Sequence, residues 1–187
     1  NWRWYNIMHL SWIIPCYNEE RRIEKTIREV EAYLQSKHFP DGYEILISNS
    51  ASTDHTREIA QRLASEISHV RMLNLENRGK GWAVKEAMRN ARGNIKLFSD
   101  ADNSTPPQSF DAMEALFRNG LDVVISSRDP KDAVGASRDV KEQWYREAMG
   151  NIGNLIIQIV GIWGIWDTQN GFKACTAKAA EIIFSRT

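Results

Sequence analysis

The sequence predicts an α/β fold: a mostly parallel sheet with helices on both faces. Two observations carry that expectation. Apolar runs of strand length alternate with segments whose apolar residues recur every three or four positions, the pattern of strands joined by covering helices. Polar, acidic or glycine-containing stretches also fall directly after the apolar runs, at the sheet edge where open α/β folds bind ligands. A chain of 187 residues is long enough for one such domain with a real core and short for two.

The elements follow in order. A first strand, residues 9–14, is expected to end at Pro15. A helix over residues 19–35 puts Ile23, Ile27, Val30 and Leu34 on one face and acids in its first turn, with Asn18 placed as its N-cap. A second strand covers residues 43–48 and its helix 54–67, with Ile59, Leu63 and Ile67 inward. A third strand, 70–75, passes through Asn77-Arg78-Gly79-Lys80-Gly81 into a helix carrying Val84, Ala87, Met88 and Ala91. A fourth strand, 95–99, meets Asp100-Ala101-Asp102. After Pro106-Pro107, a helix with Phe110, Met113 and Phe117 leads to a fifth strand over 121–126. There are no internal repeats and no low-complexity segments.

Bulk properties narrow the function. Basic and acidic residues balance at 24 each, so net charge gives no argument for a nucleic-acid partner. Cys16 and Cys175 have no metal or redox spacing and read as small buried hydrophobes in a reducing compartment. The four histidines lack the spacing of a zinc site. Neither a G-x-S-x-G elbow nor a G-x-G-x-x-G fingerprint is present, which disfavours an α/β-hydrolase and a dinucleotide oxidoreductase. No signal-peptide pattern is visible, and no apolar run reaches the roughly 18–20 residues that span a bilayer. The longest, residues 155–166, is rich in Ile and Trp; it reads either as a buried helix or as a segment dipping into a membrane interface. Asn1-Trp2-Arg3-Trp4-Tyr5 is open to the same interfacial reading.

Asp100-Ala101-Asp102 is the sharpest chemical signal. Two carboxylates one residue apart can bracket Mg²⁺ or Mn²⁺ and leave coordination positions for phosphate oxygens; the plainer alternative is an acidic turn capping the next helix. The glycine-flanked loop with Lys80 lets backbone approach a ligand and sets a cation near a helix start, although its spacing is not that of a P-loop. Pro15-Cys16-Tyr17-Asn18-Glu19-Glu20 brings an aromatic that could flank a nucleobase. Ser127-Arg128 brings a guanidinium to the end of the fifth strand. Asp167-Thr168-Gln169-Asn170-Gly171-Phe172-Lys173 is a polar loop set directly after the apolar Trp-rich segment.

Together these stretches, with Ser52-Thr53-Asp54 and Ser104-Thr105-Pro106, resemble the family 2 inverting glycosyltransferases of the GT-A (Rossmann-like) fold, in family order from residue 9 to the end. More narrowly, the chain resembles the dolichyl- and polyprenyl-phosphate glucose and mannose synthases. Trp144-Tyr145-Arg146-Glu147 and the Asn-Arg-Gly-Lys-Gly loop tilt the likeness to the glucosyl branch. The resemblance implies one catalytic domain over residues 9–187, truncated at its C-terminus if the chain is a fragment, with residues 1–8 an extension. It implies a nucleotide pocket lined by Pro15, Tyr17, Asn18, Glu19, Ser50, Lys80, Asp100 and Ala101. A metal site of Asp100, Asp102 and Gln169 follows, holding Mg²⁺ or Mn²⁺. Asp102 is then a catalytic residue with Arg128, facing phosphates or acceptor, and Asp167, which shapes the acceptor loop rather than serving as an obligatory base. The implied activity moves glucose or mannose from a UDP- or GDP-hexose to a polyprenyl or dolichyl phosphate, by a peripheral protein on the cytoplasmic face of a membrane.

The chain departs from that pattern where the second strand ends. Two acids and a glycine are usual there; this chain has Asn49-Ser50-Ala51, which supplies no carboxylate and puts alanine where glycine's freedom at positive φ is expected. Trp82 and Asn170 are further departures. The expectation is an active enzyme with a changed nucleobase pocket. The alternatives are a nucleotide-sugar-binding pseudoenzyme and a family 2 transferase acting on a non-lipid glycan.

Overall fold

In the computed structural model, residues 9–39, 42–127, 167 and 170–185 are described. The chain divides into two compact units, residues 1–124 with 171–187, and residues 125–170. The regular structure of the described residues falls almost wholly in the first. In chain order it comprises β1 (Leu10–Cys16), α1 (Ile23–Gln35), β2 (Tyr43–Ser50), α2 (Thr56–Glu66), β3 (Val70–Leu75), α3 (Lys80–Asn90) and β4 (Ile95–Phe98). A short 3-10 turn (Pro107–Ser109) precedes α4 (Phe110–Arg118), followed by β5 (Val123–Ile125), β6 (Lys173–Thr176) and α5 (Ala177–Ser185).

The sheet runs β3-β2-β1-β4-β6-β5. β1 is central and parallel to both β2 and β4, β2 is parallel to β3, and β6 lies antiparallel to β4. Alternation along β1 feeds two cores. Leu10, Trp12 and Ile14 pack with residues of α1, α2 and α4. Ile13 points the other way, with Val84, Ala87 and Met88 of α3 and Ala179 and Ala180 of α5. Helices therefore cover both faces, as the periodicity predicts. Trp12 anchors the larger core between Tyr33, Phe110 and Phe172, with ring centroids 6.0, 6.1 and 5.6 Å away.

The apolar faces read from α1, α3 and α4 are all buried. On α2 only Leu63 is fully so; Thr56 and Ala60 share the buried stripe, and Ile59 and Ile67 lie at its margin. Several boundaries differ. β1 runs past Pro15 to Cys16, because the ladder to β4 ends at Ile13–Phe98 and proline's missing donor therefore breaks no bond on that side. α1 starts at Ile23, four residues later than expected, and Asn18 is not its cap: Arg22 holds that position with no side-chain cap. β6 and α5 were not anticipated, since four residues of strand give too short an alternation to read. Among the described residues, no helix is long and apolar enough to cross a membrane. Residues 1–5, 144–147 and 155–166 lie outside the described residues.

Candidate active site

The loops that line the cleft leave the carboxyl ends of parallel strands, and the segment entering β6 packs against one of them. The corner after β4 is the most tightly held. Ser99 is buried and its hydroxyl accepts the Trp12 indole N–H at 2.8 Å. Thr26 of α1 donates its hydroxyl to the Ala101 carbonyl at 2.7 Å, satisfying a buried acceptor in the middle of the acidic turn. Asn103 closes the turn in the left-handed region, φ 50°. Asp102 Oδ1 accepts the Ser104 backbone N–H at 3.0 Å. Asp100 is met on one side by Lys80, the first residue of α3, with Nζ 2.5 Å from Oδ1. On its other side lies Gly171: a Cβ built there would come within 2.5 Å of Oδ1 and closer still to Oδ2.

The loops after β1 and β2 interlock. Asn18 donates its backbone N–H to the Ser52 hydroxyl at 3.0 Å, and its Oδ1 accepts the Thr53 N–H at 2.8 Å. Glu19 N–H donates to Thr56 Oγ1 and Glu20 N–H to Asp54 Oδ2, while Glu20 Oε2 accepts the His55 N–H. Burial pushes the Asp54 carboxyl up, but the donors from Thr56 and Glu20 outweigh it and hold Asp54 below the usual carboxylate range. Ser52, Thr53 and Asp54 thus splice two loops together. Ser50 has a similar duty toward the third loop: its hydroxyl donates to the Asn77 carbonyl at 2.8 Å and accepts the Gly79 N–H at 3.0 Å. Gly79 needs glycine's freedom there, with φ 149° as the N-cap of α3. Asn49 is buried and donates its amide to Asn74 Oδ1 at 2.7 Å.

These loops enclose a cleft of about 310 Å³, at the low end of the roughly 300–1,000 Å³ of small-molecule sites. Of the residues expected to line a nucleotide pocket, it brings together Pro15, Tyr17, Glu19, Ser50, Lys80, Asp100 and Ala101, and adds Asp102. Asn18 is not on its wall; it faces the second loop instead. The Arg78 guanidinium covers the ring of Tyr17, a cleft residue, at 4.2 Å from its centroid, a cation–π contact. Cys16, also on the wall, has its thiol pushed up to about 12 by burial and by the nearby Glu19 and Asp54 charges, so it is an inert thiol rather than a nucleophile. Asp167 and Asn170 belong to the second unit; both are buried, and Asn170 Nδ2 donates to Ser126 Oγ at 3.1 Å. Arg128 and Gln169 lie outside the described residues.

Asp100 and Asp102 suit a hard divalent cation. They offer oxygen only, and Asp102 is well exposed at the cleft. Among the described residues no cluster of three or more His, Cys, Asp or Glu surrounds them, so two carboxylates would leave positions for phosphate oxygens. Sequence reasoning missed Arg22, whose Nη1 stands 3.8 Å from Asp102 Oδ2 on the same cleft wall. It also missed the role of Gly171. The only available signals were the second of two arginines after Asn-Glu-Glu and a lone glycine before an aromatic.

A mostly parallel sheet with a polar cleft at its carboxyl edge and an Asp-x-Asp corner defines a nucleotide-type α/β domain. The chain belongs to the Glycosyl transferase family 2, whose profile matches residues 11–181. It is 32% identical over 186 residues to a dolichyl-phosphate beta-glucosyltransferase of Trichomonas vaginalis, with 95% of this chain and 56% of that protein covered. It is 33% identical over 187 residues to the Dictyostelium discoideum protein of the same name, with 95% and 57% covered. The chain therefore spans a little over half the length of these curated relatives. Among solved structures it resembles a Pyrobaculum calidifontis mannosyltransferase in complex with GDP-Man and Mn²⁺, with TM-score 0.64, 20% identity, and 95% of this chain and 47% of that one covered. It also resembles the Mycobacterium tuberculosis glucosyl-3-phosphoglycerate synthase in complex with Mn²⁺, UDP and phosphoglyceric acid, with TM-score 0.65, 19% identity, and 91% and 56% covered. These likenesses establish the GT-A fold expected from the sequence.

Proposed function

We propose that this chain is the catalytic part of a metal-dependent inverting hexosyltransferase that moves glucose from a nucleotide sugar to dolichyl or polyprenyl phosphate at a membrane surface. The observation that carries the reading is the convergence of Asp100, Asp102 and Lys80 on one cleft with the β1 end, Pro15 to Glu19. The names of the relatives support the sugar and the acceptor. The metal-bound neighbours support a divalent cation, Mg²⁺ or Mn²⁺.

Asp100 and Asp102 would hold the cation, with Gln169 as the third ligand that the resemblance implies. A divalent cation there supplies positive charge to the departing diphosphate. Lys80 adds a second cation from the start of α3, held by Asp100 until a donor diphosphate is bound. Pro15 and Tyr17 form the cleft wall beside the nucleoside, and the Ser50 tie fixes the loop that carries Lys80. As the sugar carbon gains oxocarbenium-like character, these groups favour the leaving group. A phosphate acceptor is anionic at neutral pH and needs positioning more than deprotonation, a role we assign to Asp167 and Arg128.

The test is transfer by the purified chain to dolichyl phosphate in detergent, from UDP-glucose and GDP-mannose in parallel, with Mn²⁺ or with chelator. Glucose transfer that requires metal and falls at least about 10²-fold in Asp102→Ala is expected. Transfer only to a non-lipid glycan would overturn the acceptor assignment. Donor binding with no transfer to any acceptor would make the chain a pseudoenzyme.

A further inference from the structure

We propose that Arg22 is the resident counter-ion of Asp102, displaced when metal binds and then recruited to the donor diphosphate. The inference rests on reading Asp100 and Asp102 as the metal-binding pair. Each of these carboxylates already has its own cation. Lys80 meets Asp100 from α3, and Arg22 approaches Asp102 from the start of α1, with Nη1 3.8 Å from Oδ2. Arg22 is held at its other end by Glu19, whose Oε2 accepts its Nε–H at 2.9 Å. All five side chains line the one cleft.

Local helix physics does not explain an arginine at this position. Arg22 is the N-cap residue of α1, where the helix dipole disfavours positive charge, and it makes no capping hydrogen bond. It is also more than half exposed, so packing does not require it. What it does have is a place between two carboxylates at the edge of an anion-binding cleft, with a guanidinium whose geometry matches phosphate and which stays charged at every relevant pH.

The charges explain an order of events. Among the described residues lining the cleft, Glu19, Asp100 and Asp102 against Arg22 and Lys80 leave one negative charge in excess. A divalent cation alone would reverse that to one positive. A donor diphosphate carrying two negative charges restores the original balance, provided the two side-chain cations turn from the carboxylates to the phosphate oxygens. Arg22 therefore opposes metal in the absence of nucleotide and favours nucleotide in the presence of metal. Its length and exposure allow the change without backbone movement.

The two effects have opposite signs, which a merely structural residue would not produce. Mn²⁺ is titrated into the purified chain without nucleotide and followed by loss of the free-ion paramagnetic resonance signal. UDP and GDP are then titrated at saturating Mn²⁺ by calorimetry. In Arg22→Gln, Mn²⁺ alone should bind about two- to five-fold more tightly, the range of an exposed ion pair. The better-binding diphosphate should weaken by at least as much, and Arg22→Lys should restore both values toward wild type. The metal effect should shrink as salt rises from 0.1 to 1 M, because the pair is exposed. Unchanged or weaker Mn²⁺ binding in Arg22→Gln, with the wild-type chain binding Mn²⁺, overturns this proposal alone. A wild-type chain that binds no Mn²⁺ overturns the metal site and this proposal with it.

Discussion

Gly171→Ala isolates the geometry of the acidic corner from its chemistry. The added methyl would sit within 2.5 Å of Asp100 Oδ1 and closer to Cγ and Oδ2, whereas ordinary contacts of a Cβ begin near 3.4 Å. Something must retreat by well over 1 Å. The backbone is poorly placed to do so, because Phe172 is buried against Trp12 and Lys173 begins β6. The Asp100 carboxylate is over a quarter exposed and can rotate away, giving up Lys80. Losing that exposed pair costs about 0–1 kcal/mol, and a side chain that yields avoids most of the ~1–3 kcal/mol of true overpacking. For a chain of this size, 1 kcal/mol lowers Tm by about 2–4 °C.

Activity should respond far more, since a 1 Å misplacement of a reacting or metal-holding group can cost about 10²-fold. Gly171→Ala is therefore expected to melt within a few degrees of wild type, bind Mn²⁺ more weakly and lose about 10²-fold in transfer. Gly81→Ala is the matched control: its Cβ would meet nothing within 4 Å, and it lies inside α3, where alanine is the better residue. Calorimetric melts and metal titrations on both variants separate the outcomes. Wild-type metal affinity in Gly171→Ala would refute the steric argument. A melting loss well beyond 10 °C would show that the backbone, not Asp100, gives way.

Three further outcomes follow from the loops and strands around this corner. Ser50→Ala removes the group that joins Asn77 and Gly79, so it should cost about 1–3 kcal/mol in urea unfolding and weaken nucleotide binding, while Mn²⁺ binding without nucleotide is retained. Ala51→Gly should be neutral to stabilising by about 1 kcal/mol, because alanine holds φ 54° there; a clear loss in the same assay would contradict the strain assignment. Burial pushes the Glu44 carboxyl up, but Ser11, the Arg92 N–H and Arg71 together hold it below its ordinary value. A carboxylate depressed in the folded state contributes stability above its unfolded pKa, about 4.3, and loses it as pH falls through the folded value. Wild type should therefore exceed Glu44→Gln at pH 7, and the gap should narrow steadily below about pH 4; a gap independent of pH would contradict it.

The parts of this molecule legible in the sequence are those that repeat. Ile23, Ile27, Val30 and Leu34 announce a helix because four positions agree, and all four are buried. The location of the cleft was legible for a related reason: polar motifs recur after successive strands, and parallel topology brings those ends to one edge. Arg22 and Gly171 were not legible, because the role of each depends on a long-range contact, and β6 is too short for its alternation to be read. No spacing rule connects Gly171 with Asp100, or Arg22 with Asp102, until the sheet has placed their loops together.

The corner after β2 joins these two kinds of information. Asn49-Ser50-Ala51 reads in sequence as a weakened base-binding motif, since its acids and glycine are missing. In the fold, Ala51 still adopts the left-handed conformation that a glycine would favour, and Ser50 ties the loop that carries Lys80. Asn18, Ala51 and Asn103, the non-glycine residues with positive φ among the described residues, stand one each in the loops after β1, β2 and β4. Left-handed backbone persists where surrounding structure over-determines it, and here it falls in loops that contribute other residues to the cleft. The side chains at this corner differ from the pattern the resemblance implies, and they hold the loops around the cleft by their own hydrogen bonds. Ser50 therefore acts on the cleft through the loop it holds, a role that its place in the motif alone does not reveal.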